Sequence, residues 1–384
     1  MHDWRSSLGE AVAGCAAELR FAEPMARHTT FRIGGLADAW VRADDPQALA
    51  CVLRVCREAG IRTWLLGRGS NVLVSDQGLR GVVVTFGGKL AEMRLERDKE
   101  IEGLPAQQQA GQRDKVTEGS SEHSIPRSLD PSIPSWLLCG AGAALDEVAT
   151  FAEQQGLTGA EFLAGIPGTV GGGLHSNAGA FGRSLGDIVT GVTVLDRDGS
   201  ESVLTGTQIR REYRRPMIEG GLIAVEVTMQ LQGRIQGLRD SRGPAPDTGT
   251  LESSTPGSLS ADQIRKQRWQ KHPTEPSAGS FFRNPEKDGE RIPAGKLIEQ
   301  CGLKGRTIGG VRVSEMHANF LINTGKARFA DVYELVQIIK ATVEEQTGIL
   351  LEEEVQYLPG PNEVRRQMPE ARSQKSRVGA ANGS

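Results

Sequence analysis

The amino-acid sequence predicts a mixed α+β or α/β chain of two or three domains. Three observations carry this. The 384 residues exceed what one hydrophobic core ordinarily organises. Between residues 39 and 86 the pattern runs strand, helix, strand, glycine loop, strand, which suits a sheet with helices packed on it. A further glycine-rich stretch, EFLAGIPGTVGGGLHSNAGAFG at Glu161–Gly182, has glycine at 165, 168, 171, 172, 173, 179 and 182 and Pro167 at a bend. Glycine serves where a backbone takes positive φ or lies against another backbone or a ligand. Successive N–H groups in such a loop can line a concavity for pyrophosphate or a flat cofactor edge.

Taken in order, residues 1–27 read as a short amphipathic helix (Leu8, Val12, Cys15, Leu19) and an exposed connector. HTTFRIGG, His28–Gly35, precedes a strand at Ala39–Val41. Asp45-Pro46 starts a helix, with a carboxylate at the N-cap and proline at the first helical position. Leu49, Val52, Leu53 and Cys56 give its buried stripe, and Gly60 ends it. Thr63–Leu66 reads as a buried strand, Gly67–Asn71 as a tight loop, and Val72–Val74 and Val82–Phe86 as strands. The Gly67–Asn71 loop is followed by a strand rather than a helix, so it is no dinucleotide fingerprint. Residues 97–134, rich in Gln, Ser, Gly and charge, are expected to form a disordered insertion between two strands.

The pattern resumes with a strand at Trp136–Gly140 and a helix marked by Leu145, Val148, Ala149 and Ala152. After the long glycine stretch come a hairpin (Val192–Leu195 and Glu201–Leu204 across Asp198-Gly199) and a half-buried strand at Leu222–Leu231. A second polar stretch, 237–258, separates these from a basic helix at Ala261–Trp269. The C-terminal unit then shows a helix at Ala294–Cys301, strands at Val311–Val313 and Asn319–Asn323, a long helix buried along Val332, Leu335, Val336, Ile339 and Val343, and a strand at Val355–Leu358. Residues past Gly360 are expected to be a disordered tail.

Bulk properties exclude several classes. A net charge of −3 with interspersed signs argues against nucleic acid or an anionic membrane as partner. No run approaches the ~20 apolar residues of a membrane span. The five cysteines (15, 51, 56, 139 and 301) lack metal-ligand spacing, and with no secretory signal they fit a reducing cytoplasm. Cys51 and Cys56 fall in one predicted helix as structural thiols. No metal is expected.

Four motifs stand in one order: HTTFRIGG, LLGRGSNVLV, GIPGTVGGGLHSNAGAFG, and AGSFFRNP with LEEEV behind it. Together they resemble the UDP-N-acetylenolpyruvoylglucosamine reductase (MurB) family, over residues 25–95, 135–232 and 265–360. The first three alone indicate the wider vanillyl-alcohol-oxidase-like FAD-binding superfamily. AGKLIEQCGLKG and SEMHANFLIN narrow the resemblance, and the latter is similar to the shorter, second type of the enzyme. Two positions depart from the family pattern: Pro216 replaces the usual serine of Tyr-Arg-x-Ser, and Glu353 the proline of LEPEV.

The resemblance implies an α+β fold: an FAD-binding domain of PCMH type with two subdomains at 28–234, a polar linker or insertion at 235–258, and a smaller α/β C-terminal substrate-binding domain at 259–360. It implies non-covalent FAD with His28 unattached, NADPH as reductant, and UDP-N-acetylglucosamine enolpyruvate as substrate in peptidoglycan precursor synthesis. A cytoplasmic monomer is expected. FAD would be held by Thr30, Arg32 and Gly34, by Gly67, Arg68, Gly69, Ser70 and Asn71, by Gly165, Ile166, Pro167, Gly168, Thr169, Gly171 and Gly172, and by Asn177, Ala178 and Gly179. Tyr213, Lys271 and Asn284 would help bind substrate or NADPH.

Ser280, Arg214 and Glu354 match the family's catalytic residues. On the residues alone, Ser280 is a serine satisfying a loop backbone, Arg214 one of four neighbouring arginines, and Glu354 part of a solvated charge run. The chemistry gives each a task. Hydride addition to the enolpyruvyl methylene leaves negative charge on the adjacent carbon and its carboxylate, and a hydroxyl can deliver the closing proton if its surroundings are cationic. A guanidinium can pair bidentately with that carboxylate. In strand alternation Glu352 and Glu354 face one way and Glu353 faces water. Two rivals remain: an oxidase or dehydrogenase of the wider superfamily, which has no need of this trio, and a non-catalytic flavin binder, which would have lost part of it.

Overall fold

The computed structural model describes residues 3–96, 135–196, 198–212, 215–233, 259–287, 289–360 and Glu363. The 97–134 and 237–258 stretches, Tyr213, Arg214 and nearly all of the expected tail lie outside the described residues. The chain divides into two compact units. Among the described residues no helix is long and apolar enough to cross a membrane.

The first unit comprises residues 1–23, 37–70 and 80–276, and contains two sheets. The smaller has the strand order Ala17–Pro24, Leu36–Ala43, Leu79–Phe86, Thr63–Leu65. Its core is shared with helices α1 (Trp4–Ala13) and α2 (Pro46–Glu58), through Leu8, Val41, Leu49, Val52 and Val84. Helix α2 starts where Asp45-Pro46 predicts, the Asp45 carboxylate accepting the Ala48 N–H at 2.8 Å. Helix α1 is shorter than expected. Gly14 caps it, and Cys15 and Leu19 fall beyond, Leu19 in the Ala17–Pro24 strand. Thr63–Leu65 is a strand, but Leu65 is exposed rather than buried.

The larger sheet runs Glu201–Thr205, Val189–Leu195, Ile223–Gly233, Ser135–Gly140, Met93–Glu96, all antiparallel. Glu96 pairs with Trp136, so the two ends that carry residues 97–134 are adjacent on the sheet. Helix α3 (Leu145–Gln154) packs on this sheet through Leu145, Val148, Ala149 and Ala152, as the periodicity predicts. The glycine stretch, expected to be a loop throughout, holds a short helix, α4 (Val170–Ser176). Thr169 caps it, its hydroxyl accepting the Gly172 N–H at 3.2 Å. Helix α5 (Ala261–Lys271) has a reciprocal Ser260–Gln263 cap and buries Ala261 and Ile264 in the same core.

The second unit comprises residues 24–36, 71–79 and 277–384. Its antiparallel sheet runs Ser277–Ser280, Phe320–Asn323, Val311–Val313, Thr307–Ile308. Helices α6 (Ala294–Gln300) and α7 (Phe329–Thr347) bury Leu297, Ile298, Val332, Leu335, Val336, Ile339 and Val343 in its core. Gln356–Leu358 pairs in parallel with Val72–Val74.

The units divide the chain elsewhere than the expected 28–234 and 259–360 boundaries. Residues 28–36 and 71–79 belong with the C-terminal elements: Phe31, Ile33 and Leu73 are buried among them, and the Asn323 amide donates to the Phe31 carbonyl at 3.0 Å. Helix α5 belongs with the first unit, where Arg265 pairs with Asp146 at 2.9 Å. Local sequence pattern does not report such long-range contacts.

Candidate active site

In the first unit the two predicted glycine loops lie side by side. A Cβ on Gly67 would stand 2.4 Å from Thr169 Oγ1, and one on Gly168 would stand 3.3 Å from Ser70 Oγ. Glycine is required at Gly67 by this close approach, since Thr169 Oγ1 is already engaged in capping α4. The second loop is further fixed by the Leu145 N–H bond to the Gly168 carbonyl (3.1 Å) and the Val170 N–H bond to Ala143 (2.8 Å). Gly165, at φ 70°, is held from both sides. Its N–H donates to Asp146 Oδ1 at 2.7 Å, and its carbonyl accepts from Arg268 Nε at 3.2 Å. Burial pulls the Arg268 guanidinium below its ordinary pKa, against the pull of Asp146. Asp146, Arg265 and Arg268 were not singled out from sequence. The available signal was a basic helix, which says nothing of what it clamps.

Of the remaining predicted cofactor residues in this unit, Gly67, Arg68 and Pro167 are exposed, and Ile166 packs partly on the core. Gly171 lies close on Ala141, to which its N–H donates at 2.7 Å, and Gly172 donates to the Thr169 cap. Asn177, Ala178 and Gly179 turn into the fold. Asn177, buried and left-handed at φ 45°, donates its amide to the Arg211 and Glu212 carbonyls (3.1 and 3.3 Å) and accepts the Gly186 N–H at 2.9 Å. Ala178 donates its N–H to Gly173. A Cβ on Gly179 would meet the Arg183 carbonyl at 2.1 Å.

In the second unit the structure brings Ser280 and Glu354 onto adjoining segments. Ser280 ends the Ser277–Ser280 strand opposite Phe320, after an irregularity at Gly279, whose φ is 77°. The next residue, Phe281, accepts the Glu354 N–H at 2.8 Å. Arg283 N–H donates to the Glu352 carbonyl at 2.9 Å, and Phe282 faces Glu353 in an antiparallel bridge. Asn319 clamps the other side. Its carbonyl accepts the Phe281 N–H at 2.7 Å, and its side chain bonds both the N–H (2.9 Å) and the carbonyl (2.8 Å) of Phe282. The motifs do not single out Asn319, which lies in SEMHANFLIN near His317. Burial holds the His317 imidazole below its usual pKa.

Asn71 joins this cluster, its amide donating to the Glu354 carbonyl at 3.3 Å and its carbonyl accepting the Gln356 N–H at 3.0 Å. The Thr30 hydroxyl donates to the Ser277 carbonyl at 2.7 Å. Arg32 is exposed and left-handed, and Gly34 lies against Met25 and Val74, where a Cβ would come within 3.0 and 2.8 Å. The expectation that Glu353 faces water is corrected. Residues 351–354 do not form a regular strand, and the half-buried Glu353 carboxylate takes both oxygens to Lys340 Nζ, at 3.1 and 3.0 Å. Asn284 caps α6, accepting the Ala294 N–H at 3.0 Å, and Lys271 is exposed at the end of α5 in the first unit. A 520 Å³ depression at the start of α7 contains none of the predicted residues, and its Asp331 already accepts the Gly310 and Arg328 N–H groups.

Two closely approaching glycine loops in a sheet-and-helix unit agree with an FAD-binding oxidoreductase, the class that the family models define. The family model for the FAD binding domain matches residues 131–205. That for the C-terminal domain of UDP-N-acetylenolpyruvoylglucosamine reductase matches 270–358. The reductase of Geotalea uraniireducens is 36% identical, over 93% of this chain and 98% of its own length. That of Bacillus subtilis is 31% identical over 88% and 93%. The crystal structure of the Thermus caldophilus enzyme superposes with a TM-score of 0.60 at 25% identity, covering 89% of this chain and 98% of that one. The chain belongs to the UDP-N-acetylenolpyruvoylglucosamine reductase family.

Proposed function

We propose that this protein reduces UDP-N-acetylglucosamine enolpyruvate to UDP-N-acetylmuramate with NADPH, as an FAD-dependent dehydrogenase of peptidoglycan precursor synthesis. The observation that carries the reading is the direct pairing of the Ser280 and Glu354 segments, Glu354 N–H to the Phe281 carbonyl, in a chain of this family. The Gly67–Asn71 and Gly165–Gly172 loops fit a flavin nucleotide. Gly67 and Gly168 let the two loops approach closely. Since Gly165, Val170, Gly171 and Gly172 already give their N–H groups to the protein, phosphate would fall to other backbone N–H groups of these loops, which need no lysine. The cofactor, when bound, supplies the relay of hydride from NADPH to the enolpyruvyl methylene. Ser280 Oγ gives its proton to the adjacent carbon, completing the C–H bond, and is reprotonated from water. Arg214 pairs with the substrate carboxylate as charge gathers there. Glu354 acts beside Ser280 in that proton transfer. Tyr213, Lys271 and Asn284 hold nucleotide or sugar, and the enzyme works as a cytoplasmic monomer.

The test is colour. Purified protein should be yellow, bleach with NADPH without oxygen, and recover its colour when the enolpyruvyl nucleotide is added. Acid precipitation should release all the colour. A colourless protein, or a reduced one that the enolpyruvyl nucleotide fails to reoxidise, overturns the reading.

A further inference from the structure

Lys340 and Glu353 form a contact that no role above uses. Both Glu353 oxygens accept from the Lys340 ammonium, at 3.1 and 3.0 Å, and the two side chains keep only 21% and 24% of their surface. An ion pair so enclosed is costly to break, because the surviving charge stays desolvated. Its location gives it consequence. Glu353 is the middle residue of the 352–354 segment, and its neighbours make the two bonds to the 281–283 segment, Arg283 N–H to Glu352 and Glu354 N–H to Phe281. Lys340 stands on α7, whose Ile339 and Val343 are fully buried. The pair therefore ties the carboxylate segment to a long helix with a fully buried face. Tyr357 encloses the same spot. Its hydroxyl has no hydrogen bond of good geometry, and burial first, then the Glu353 charge, push its pKa up.

We infer that Lys340 and Glu353 are a positioning pair, setting the register of Glu354 against Ser280 through the 352–354 segment. The role assigned to them is to hold the segment, not to bind substrate. The inference rests on the proposed roles of Ser280 and Glu354. The segment is short and irregular, tied to its neighbours by hydrogen bonds such as Arg283 N–H to Glu352, Glu354 N–H to Phe281 and the Asn71 amide to Glu354. It can tilt by a fraction of an ångström when its side-chain anchor is lost, and a full ångström of misplacement can cost about 10²-fold in rate.

The experiment uses FAD-loaded protein and follows the two half-reactions by stopped-flow absorbance. Lys340→Met removes the charge and keeps the stem. Glu353→Gln keeps the shape but removes the charge and one of the two accepting oxygens. The swap Lys340→Glu with Glu353→Lys rebuilds the pair reversed. Flavin reduction by NADPH should stay within about twofold in all three. Reoxidation by the enolpyruvyl nucleotide should slow roughly tenfold in Lys340→Met, less in Glu353→Gln, and recover most of its rate in the swap, at a displacement below that full ångström. Equal slowing of both half-reactions, or a swap no better than Lys340→Met, overturns the inference and leaves the pair purely structural. If Lys340→Met fails to fold, Glu353→Gln and the swap carry the same comparison. Glu354→Gln is run in parallel. If it leaves reoxidation untouched, the proposed site is wrong. If it slows reoxidation while the pair variants do not, only the positioning role falls.

Discussion

The two units shape their predicted residues in opposite ways. In the first, the glycine loops are shaped by what is missing: Gly67 leaves room for Thr169 Oγ1, and Gly171 for Ala141. In the second, Ser280 and Glu354 are placed by what is added: the Asn319 side chain, the Asn71 amide and the Lys340–Glu353 pair. The first region should break when atoms are put in, the second when they are taken out. Placement by glycine and placement by side-chain clamps thus leave different mutational signatures in one chain.

The largest expected effect tests the second region at its chemical point. Ser280→Ala deletes one oxygen from a segment whose backbone bonds remain. Bleaching by NADPH should be near normal, and reoxidation by substrate should slow by about 10²–10⁴, the usual cost of losing a general acid. Stopped-flow absorbance separates the steps. Equal loss in both would remove the proton-donor role.

Next comes Asn319→Ala, which tests placement rather than chemistry. It strips partners from the buried N–H and carbonyl of Phe282, at about 1–3 kcal/mol for each orphaned group. Urea unfolding should show the loss. A stability within 0.5 kcal/mol of wild type, on the scale of a neutral surface change, would mean that the clamp is dispensable.

Gly67→Ala tests the first region by addition. The new Cβ would meet a short, β-branched side chain engaged as a cap, and overpacking of this kind costs about 1–3 kcal/mol. Weaker FAD retention in gel filtration and a lower melting temperature are expected. Adding Thr169→Ala should return part of both, less the roughly 1 kcal/mol lost with the cap. If the double variant were worse than either single one, steric conflict would not be the cause.

The smallest effect is expected from replacing residues 97–134 with a short Gly/Ser link. Met93–Glu96 and Ser135–Gly140 are already antiparallel neighbours. Both half-reactions should stay within a fewfold, and loss of FAD would show that the stretch shapes the first region.

What could be read from sequence divides along physical lines. Asp45-Pro46, the Leu145–Ala152 stripe and the Val332–Val343 stripe are local signals, and each marks its helix correctly. Helix α4 was missed because three consecutive glycines argue against helix. Its cap at Thr169 and its close seat on Ala141 decide otherwise. Glu353 was misread because alternation presumes a regular strand, whereas residues 351–354 meet Phe282 in a single bridge. Only the family resemblance, not the residues alone, singled out Ser280 and Glu354. It could not reveal Asp146, Asn319 or Lys340, whose importance lies in contacts with residues 19, 37 and 13 positions away.

The pairing of Glu96 with Trp136 also bears on how such a chain can change length. A connection whose ends are already held together by a sheet adds little entropy cost as it grows: each doubling of a flexible loop costs only about 0.6 kcal/mol. Selection on stability would barely register gains or losses there. The same hairpin end is therefore the natural port for grafting a reporter or affinity domain, with the reacting groups kept on other elements of the fold.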